Sequence, residues 1–95
     1  MQEDRRVHLI IKGRVQGVGF RYFIYTTAIN LHLKGWVRNR ASGNVEILAQ
    51  GAHKKINQLI QAARKGPDMA QVLDVDIEWD QKSPDLPPFT ILNTK

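Results

Sequence analysis

The order in which the apolar periodicities change is the feature that most restricts the fold of this chain. Alternating apolar and polar residues are typical of a half-buried strand, whereas apolar residues three and four positions apart are typical of a helix packed on a core. Glycine, proline and polar clusters separate these segments. The elements predicted in this way are a strand at residues 7–11, a helix at 22–33, strands at 34–40 and 44–50 around a hairpin turn at 41–43, a helix that begins near residue 52 and ends at Gly66 and Pro67, a strand at 73–79, a proline-bearing loop at 83–88 and a short strand at 89–92.

The order strand, helix, strand, strand, helix, strand, with one more short strand, predicts an α+β chain of the ferredoxin-like, split βαβ type. In this fold two helices pack on one face of an antiparallel sheet, and the other face is open to solvent. No repeat, linker or low-complexity segment divides the sequence, so we expect a single domain over residues 1–95. Because this fold carries many unrelated functions, local motifs have to indicate the function.

Composition excludes several classes of function. The chain has no cysteine, so disulfides, cysteine nucleophiles and zinc–thiolate sites are excluded. Its apolar runs are shorter than the roughly 20 residues that span a bilayer, and its polar start does not resemble a signal peptide, so we expect a cytoplasmic protein. His8, His32 and His53 lack metal-ligand spacing, so we expect no metal or other cofactor. The net charge of +5 favours anionic ligands, although it also serves solubility.

Residues 13–21, Gly-Arg-Val-Gln-Gly-Val-Gly-Phe-Arg, connect the first predicted strand to the first predicted helix. Their three glycines allow backbone angles that other residues avoid and leave N–H groups uncovered at a helix N-terminus, where anions bind. Arg21, in the first helical turn, could close this cradle over a phosphate with paired hydrogen bonds. The spacing fits neither a P-loop nor a dinucleotide-binding fingerprint. A glycine-rich turn without a ligand is the alternative that spacing alone leaves open.

A second polar motif, Gly-Trp-Val-Arg-Asn at residues 35–39, ends the second predicted strand. The first two strands of a split βαβ unit are parallel, so the loops that follow them lie at the same edge of the sheet. Asn39 can therefore face residues 13–21, and its amide, which both donates and accepts hydrogen bonds, can hold a water molecule in a chosen direction. The alternative is that Asn39 only stabilises the entry to the hairpin.

Together, residues 13–21 and 35–39 resemble the two signature motifs of the acylphosphatase family. Chain length, element order, residues 42–46 and the Gly-Pro pair after the second helix match as well, so the resemblance spans nearly the whole chain. It implies an enzyme that hydrolyses acyl phosphates, the mixed anhydrides of carboxylic and phosphoric acids, to a carboxylate and inorganic phosphate. It also implies that inorganic phosphate inhibits, and we expect a monomer that contacts neither membranes nor nucleic acid.

The resemblance, carried over by position, also implies the site residues. Phosphoryl transfer needs mainly positioning and stabilisation of charge on the non-bridging oxygens. A carboxylate leaves without a general acid, so neither Cys, His nor a carboxylate is expected at the motif, and a phosphate oxygen of the substrate is expected to accept the proton. The implied catalytic residues are Arg21 and Asn39, and Asn39 is expected to orient the attacking water. The implied phosphate-binding residues are Val15, Gln16, Gly17, Val18, Gly19, Phe20 and Arg21.

The sequence departs from the family pattern in two places. The family usually has glycine where this chain has His32, after the first helix, at a position that often needs a left-handed backbone. The outward positions Tyr22, Tyr25 and Ile29 are more apolar than expected on that helix. These three side chains could mark a partner surface, although single exposed apolar residues are ordinary.

Two alternatives use the same fold without catalysis. One is a non-catalytic phosphate-binding or maturation module, because acylphosphatase-like domains also occur within larger proteins such as hydrogenase maturation factors. The other is an RNA-binding module, which would read bases with aromatic residues on the open face of the sheet. That face is expected to lack an aromatic platform. The residues predicted to lie there are His8, Ile10 and Lys12 on the first strand and Glu46, Leu48 and Gln50 on the third.

Overall fold

The computed structural model describes residues 4–80 and 85–95. Within these ranges the predicted order of elements is confirmed. The first two residues of the predicted loop at 83–88 lie outside the described residues. The elements are β1 Asp4–Arg14, α1 Phe20–Asn30, β2 Lys34–Asn39, β3 Val45–Ala52, α2 His53–Lys65, β4 Gln71–Asp80 and β5 Thr90–Ile91.

The strands form one sheet in the order β4-β1-β3-β2-β5, which confirms the ferredoxin-like fold. β1 pairs antiparallel with β3 and β4, and β2 pairs antiparallel with β3. The short β5 adds a parallel pairing with β2, through Val37 and Ile91, so the complete sheet is mixed. β1, β2 and β5 therefore run in the same direction, and their C-terminal ends lie at one edge of the sheet. This geometry confirms the prediction that the loops after β1 and β2 share an edge.

The core lies between the sheet and the two helices. Val7, Leu9 and Ile11 of β1 are fully buried, as their alternation with more polar residues predicts. Burial of these apolar side chains on one face leaves the polar face of the sheet to solvent. The other buried apolar side chains of the main elements are Phe20, Ile24 and Ala28 on α1, Val37 on β2, Val45, Ile47 and Ala49 on β3, and Ile56, Leu59, Ile60 and Ala63 on α2.

The edge strand β4 is less buried than its alternating sequence suggests. Val75 is 9% exposed, but Leu73, which the alternation predicts on the same face, is 72% exposed. A register shift in the pairing with β1 falls between Lys12 and Gly13, close to Leu73.

Within the described residues, neither helix is long and apolar enough to cross a membrane.

α1 ends in a left-handed residue that is not glycine. His32 has a φ of 58°, and no other non-glycine residue in the described ranges has a positive φ. The His32 N–H donates to the Ile29 carbonyl and the Leu33 N–H donates to the Ala28 carbonyl, both at 3.0 Å. These two bonds form a Schellman motif, which places a left-handed residue directly after the helix. The expected left-handed backbone at His32 is confirmed.

The open face of the sheet carries a charged network centred on Glu46. Glu46 Oε1 accepts hydrogen bonds from Arg38 Nε at 2.8 Å and Arg40 Nη1 at 3.1 Å, and Glu46 Oε2 lies 2.6 Å from His8 Nε2. Burial opposes ionisation of Glu46, but the hydrogen bonds from His8 and Arg38 outweigh it and hold the pKa of that carboxyl below its ordinary value. The network joins β1, β2 and β3.

An aromatic side chain lies on the open face of the sheet, for which the sequence predicts no aromatic platform. The strand register places Trp36 of β2 on this face. The Arg38 guanidinium lies 4.6 Å from the centre of the Trp36 ring, so a cation already covers part of the ring. One partly covered ring does not provide the row of aromatic side chains on which RNA-binding sheets stack bases. The absence of nucleic-acid binding stays a prediction.

Candidate active site

A cavity of about 240 Å³ lies at the sheet edge where β1, β2 and β5 end and α1 begins. Three strand ends and one helix N-terminus meet there because the crossover from β1 through α1 brings β2 parallel to β1. An N-terminus of a helix favours negative charge, since its first N–H groups have no partner within the helix. The residues that line the cavity are Val15, Gly17, Gly19, Phe20, Arg21, Tyr22, Asn39 and Ile91.

Glycines permit the backbone conformation of the loop between β1 and α1, and the core holds the two ends of this loop. Gly17 and Gly19 have φ values of 74° and 77°, in the left-handed region that favours glycine. Val15 and Phe20, on either side of them, are each 99% buried. No N–H group from Gln16 to Gly19 donates a hydrogen bond to a backbone carbonyl of the described residues. Gly17 and Gly19 line the cavity, so their N–H groups are available to a ligand there.

The side chain of Gln16 ties this loop to the β2–β3 hairpin. Gln16 Nε2 donates hydrogen bonds to the carbonyl oxygens of Arg40, at 2.7 Å, and Asn44, at 2.9 Å. Arg40 directly follows Asn39, so the tie fixes the distance between the loop and the end of β2. The sequence alone predicts only a backbone role for Gln16. A long amide side chain in a glycine-rich loop is the signal that could have suggested this contact.

Arg21 lies in the first turn of α1, as predicted, and lines the cavity. Within the described residues its guanidinium forms no salt bridge, whereas Arg38 and Arg40 both bind Glu46. None of the lining residues is acidic. The cavity therefore combines a cation, a helix N-terminus and unpaired N–H groups, an arrangement that attracts an anion.

Asn39 ends β2 and also lines the cavity, which confirms that it faces the loop. Its Oδ1 is buried and accepts no hydrogen bond from any described residue. A buried acceptor without a donor costs about 1–3 kcal/mol, so this atom calls for an explanation such as a bound water molecule or a functional role. The main chain of Asn39 is held separately, because its carbonyl accepts a hydrogen bond from the Lys95 N–H at 3.1 Å.

The structure brings together most of the predicted site residues. Gln16 and Val18 belong to the same loop but do not line the cavity. Tyr22 and Ile91 do line it, although neither is among the site residues predicted from the sequence. The described residues contain no group of three or more side chains that could hold a metal ion.

The acylphosphatase family model matches residues 7–91 of the chain. The chain belongs to the acylphosphatase family. It is 45% identical over 92 residues to an acylphosphatase from Koribacter versatilis, an alignment that covers 97% of this chain and 82% of that protein. The crystal structure of acylphosphatase from Bacillus subtilis matches with a TM-score of 0.90 and 36% identity, over 93% of this chain and 98% of that one.

A further match lies within a larger protein. The crystal structure of full-length HypF, in its phosphate- and nucleotide-bound form, matches with a TM-score of 0.89 and 27% identity. That match covers 99% of this chain but only 12% of HypF. The predicted family, the fold and the prediction of an acylphosphatase enzyme are confirmed by these comparisons. The roles of Arg21, Asn39 and the loop stay predictions.

Proposed function

We propose that this acylphosphatase hydrolyses acyl phosphates by direct attack of water on a phosphoryl group held in the cavity. The observation that carries this proposal is the meeting of three kinds of polar group in one cavity. These are the Arg21 guanidinium, the unpaired N–H groups of the glycine loop, and the Asn39 amide with its buried, unpaired oxygen. No acidic residue lines the cavity to oppose a doubly charged phosphoryl group.

The loop and Arg21 hold the phosphoryl group in this proposal. The N–H groups of residues 15–20 and the N-terminus of α1 surround the non-bridging oxygens, and the planar guanidinium of Arg21 donates two further hydrogen bonds. These donors are in place before the substrate arrives, because Gln16 and the buried side chains of Val15 and Phe20 fix the loop. Preorganised donors stabilise the charge that shifts onto these oxygens in the transition state.

Asn39 positions the attacking water. Its unpaired Oδ1 can accept a hydrogen bond from a water molecule and so turn a lone pair of that water toward phosphorus. The new bond forms between the water oxygen and phosphorus, while the bond from phosphorus to the acyl oxygen breaks. The electron pair leaves with the carboxylate, and a water proton passes to a phosphate oxygen. The products are a carboxylate and inorganic phosphate, and no side chain has to titrate.

Hydrolysis of benzoyl phosphate by the wild-type chain and single variants tests this assignment. We expect Arg21→Ala to lower kcat/KM by about 10²–10³ and to weaken inhibition by inorganic phosphate, because a charged donor is lost. We expect Asn39→Ala to lower kcat while the inhibition constant of phosphate stays nearly unchanged. Arg64→Ala, which removes an exposed arginine from the last turn of α2, is the matched control. Unchanged turnover in Asn39→Ala would contradict the water-positioning role.

A non-catalytic phosphate-binding module is the second candidate, favoured by the match to a small part of HypF. A module of this kind would bind phosphate in competition with acyl phosphates, but it would turn over no acyl phosphate. The same assay separates the two functions, since only an enzyme releases phosphate from benzoyl phosphate.

We also infer a metal-independent, cytoplasmic and monomeric enzyme whose single domain covers residues 1–95. The absence of cysteine and the lack of a ligand cluster among the described residues support metal independence. Activity should survive EDTA, and sedimentation should give the mass of one chain. Loss of activity in EDTA that added metal restores would contradict the metal-independent mechanism.

A further inference from the structure

The mouth of the cavity carries two apolar side chains that the proposed mechanism does not use. Tyr22 is 67% exposed and Ile91 is 38% exposed, and both line the cavity. Tyr22 directly follows Arg21 on α1. Ile91 lies on β5, where it pairs with Val37, two residues before Asn39. The two side chains therefore reach the same cavity from different elements of the fold.

The surroundings of Tyr22 and Ile91 differ from those of an ordinary exposed apolar residue. Single apolar side chains on a surface need no explanation, but two that converge on a cavity with a polar interior resemble the apolar wall of a ligand site. The ring of Tyr22 is stacked on that of Tyr25, with a centroid distance of 6.3 Å and an interplanar angle of 28°. This contact limits the Tyr22 ring on one side, which reduces the conformational freedom lost when a ligand packs on it.

The chemistry of the substrate indicates what would occupy this position. An acyl phosphate has a charged phosphoryl end and an acyl end joined through one bridging oxygen. When the phosphoryl end sits among the loop N–H groups and Arg21, the acyl end has to project toward the mouth. There it meets apolar surface and no acidic side chain. An aromatic or branched acyl group can bury area against Tyr22 and Ile91, whereas an acetyl group is too small to do so.

We propose that Tyr22 and Ile91 form a subsite for the acyl group, which makes the enzyme favour acyl phosphates with an aromatic or bulky apolar acyl part. This proposal rests on the proposed function. Tyr22 and Ile91 act on specificity, and they take no part in the attack on phosphorus.

The test compares benzoyl phosphate with acetyl phosphate as substrates of the full chain. We expect Tyr22→Ala to lower the ratio of kcat/KM for benzoyl phosphate to kcat/KM for acetyl phosphate by about three- to tenfold, the usual worth of an aromatic pair. Tyr22→Phe keeps the ring and should keep the ratio. Ile91→Ala should lower the ratio about two- to threefold, since it removes less apolar surface. The control is Ile29→Ala, because Ile29 is also exposed on α1, at 43%, but does not line the cavity.

A second measurement is independent of turnover. Benzoylphosphonate and acetylphosphonate lack the bridging oxygen. Their acyl carbon is joined directly to phosphorus by a carbon–phosphorus bond, which the enzyme cannot hydrolyse. We expect Tyr22→Ala to weaken inhibition by benzoylphosphonate and to leave inhibition by acetylphosphonate and inorganic phosphate nearly unchanged. The unchanged phosphate inhibition also shows that the loop is still folded in the variant.

The outcomes distinguish this proposal from the proposed function. Equal substrate and inhibitor ratios in wild type, Tyr22→Ala and Ile91→Ala would overturn the acyl subsite while leaving the phosphatase activity in place. A wild-type chain that hydrolyses neither acyl phosphate would instead overturn the proposed function, and the acyl subsite would fall with it.

Discussion

Replacing His32 by glycine should stabilise the protein. His32 holds a left-handed backbone at the end of α1, where a residue with a Cβ pays about 1–2 kcal/mol relative to glycine. The imidazole is exposed and forms no hydrogen bond with the described residues, so little contact is lost. Glycine makes the unfolded chain more flexible, which offsets about 0.4–1 kcal/mol. The free energy of unfolding should therefore rise by about 0.5–1 kcal/mol, which corresponds to about 2–8 °C in Tm for a domain of this size.

Urea and thermal unfolding of the wild type, His32→Gly and His32→Ala measure this effect. The alanine variant removes the imidazole but keeps a Cβ in the same backbone conformation, so it should not be stabilised. Kinetic constants should be equal in all three proteins, because His32 lies at the opposite end of α1 from the cavity. If His32→Gly is no more stable than His32→Ala, the backbone of His32 does not carry the strain on which the reasoning depends.

Two further predictions concern polar contacts near the site and on the open face. Gln16→Met keeps the side-chain length but removes both hydrogen bonds to the β2–β3 hairpin, so the free energy of unfolding should fall by about 1–2 kcal/mol and phosphate should inhibit less well. Urea unfolding and phosphate inhibition measure this, and no change in either would mean that the tie is unimportant. Folding lowers the pKa of Glu46 below its ordinary value of 4.5. The Glu46 carboxylate therefore stabilises the protein fully at pH values above 4.5, and this stabilisation disappears as the pH falls through the lowered pKa. Unfolding of Glu46→Gln should therefore depend less on pH below about 4.5, and equal pH dependence in both proteins would contradict this.

The fold was predictable because each element has a local signal. Alternation identified the buried face of β1, and helical spacing identified Ile24 and Ala28 as core residues of α1. The predicted ends of α1 were less accurate. The helix begins two residues before its predicted start, directly after the left-handed Gly19. It ends at Asn30, before the left-handed His32. Backbone conformation at single positions decides these ends, and apolar spacing does not report it.

The candidate site was partly predictable for a related reason. The loop and Asn39 could be brought together from topology alone, since β1 and β2 had to be parallel. The tie from Gln16 and the position of Ile91 could not. Gln16 binds carbonyl groups 24 and 28 residues away, and Ile91 reaches the cavity through a two-residue strand that pairs with β2. Contacts this distant in sequence leave no periodic pattern.

The glycine loop has a consequence for how such a site responds to acidity. In the proposed mechanism every group that meets the phosphoryl moiety is a peptide N–H, a guanidinium or a carboxamide, and the site supplies neither a general acid nor a general base. The proton transfers of turnover therefore fall to the incoming anhydride and to the attacking water.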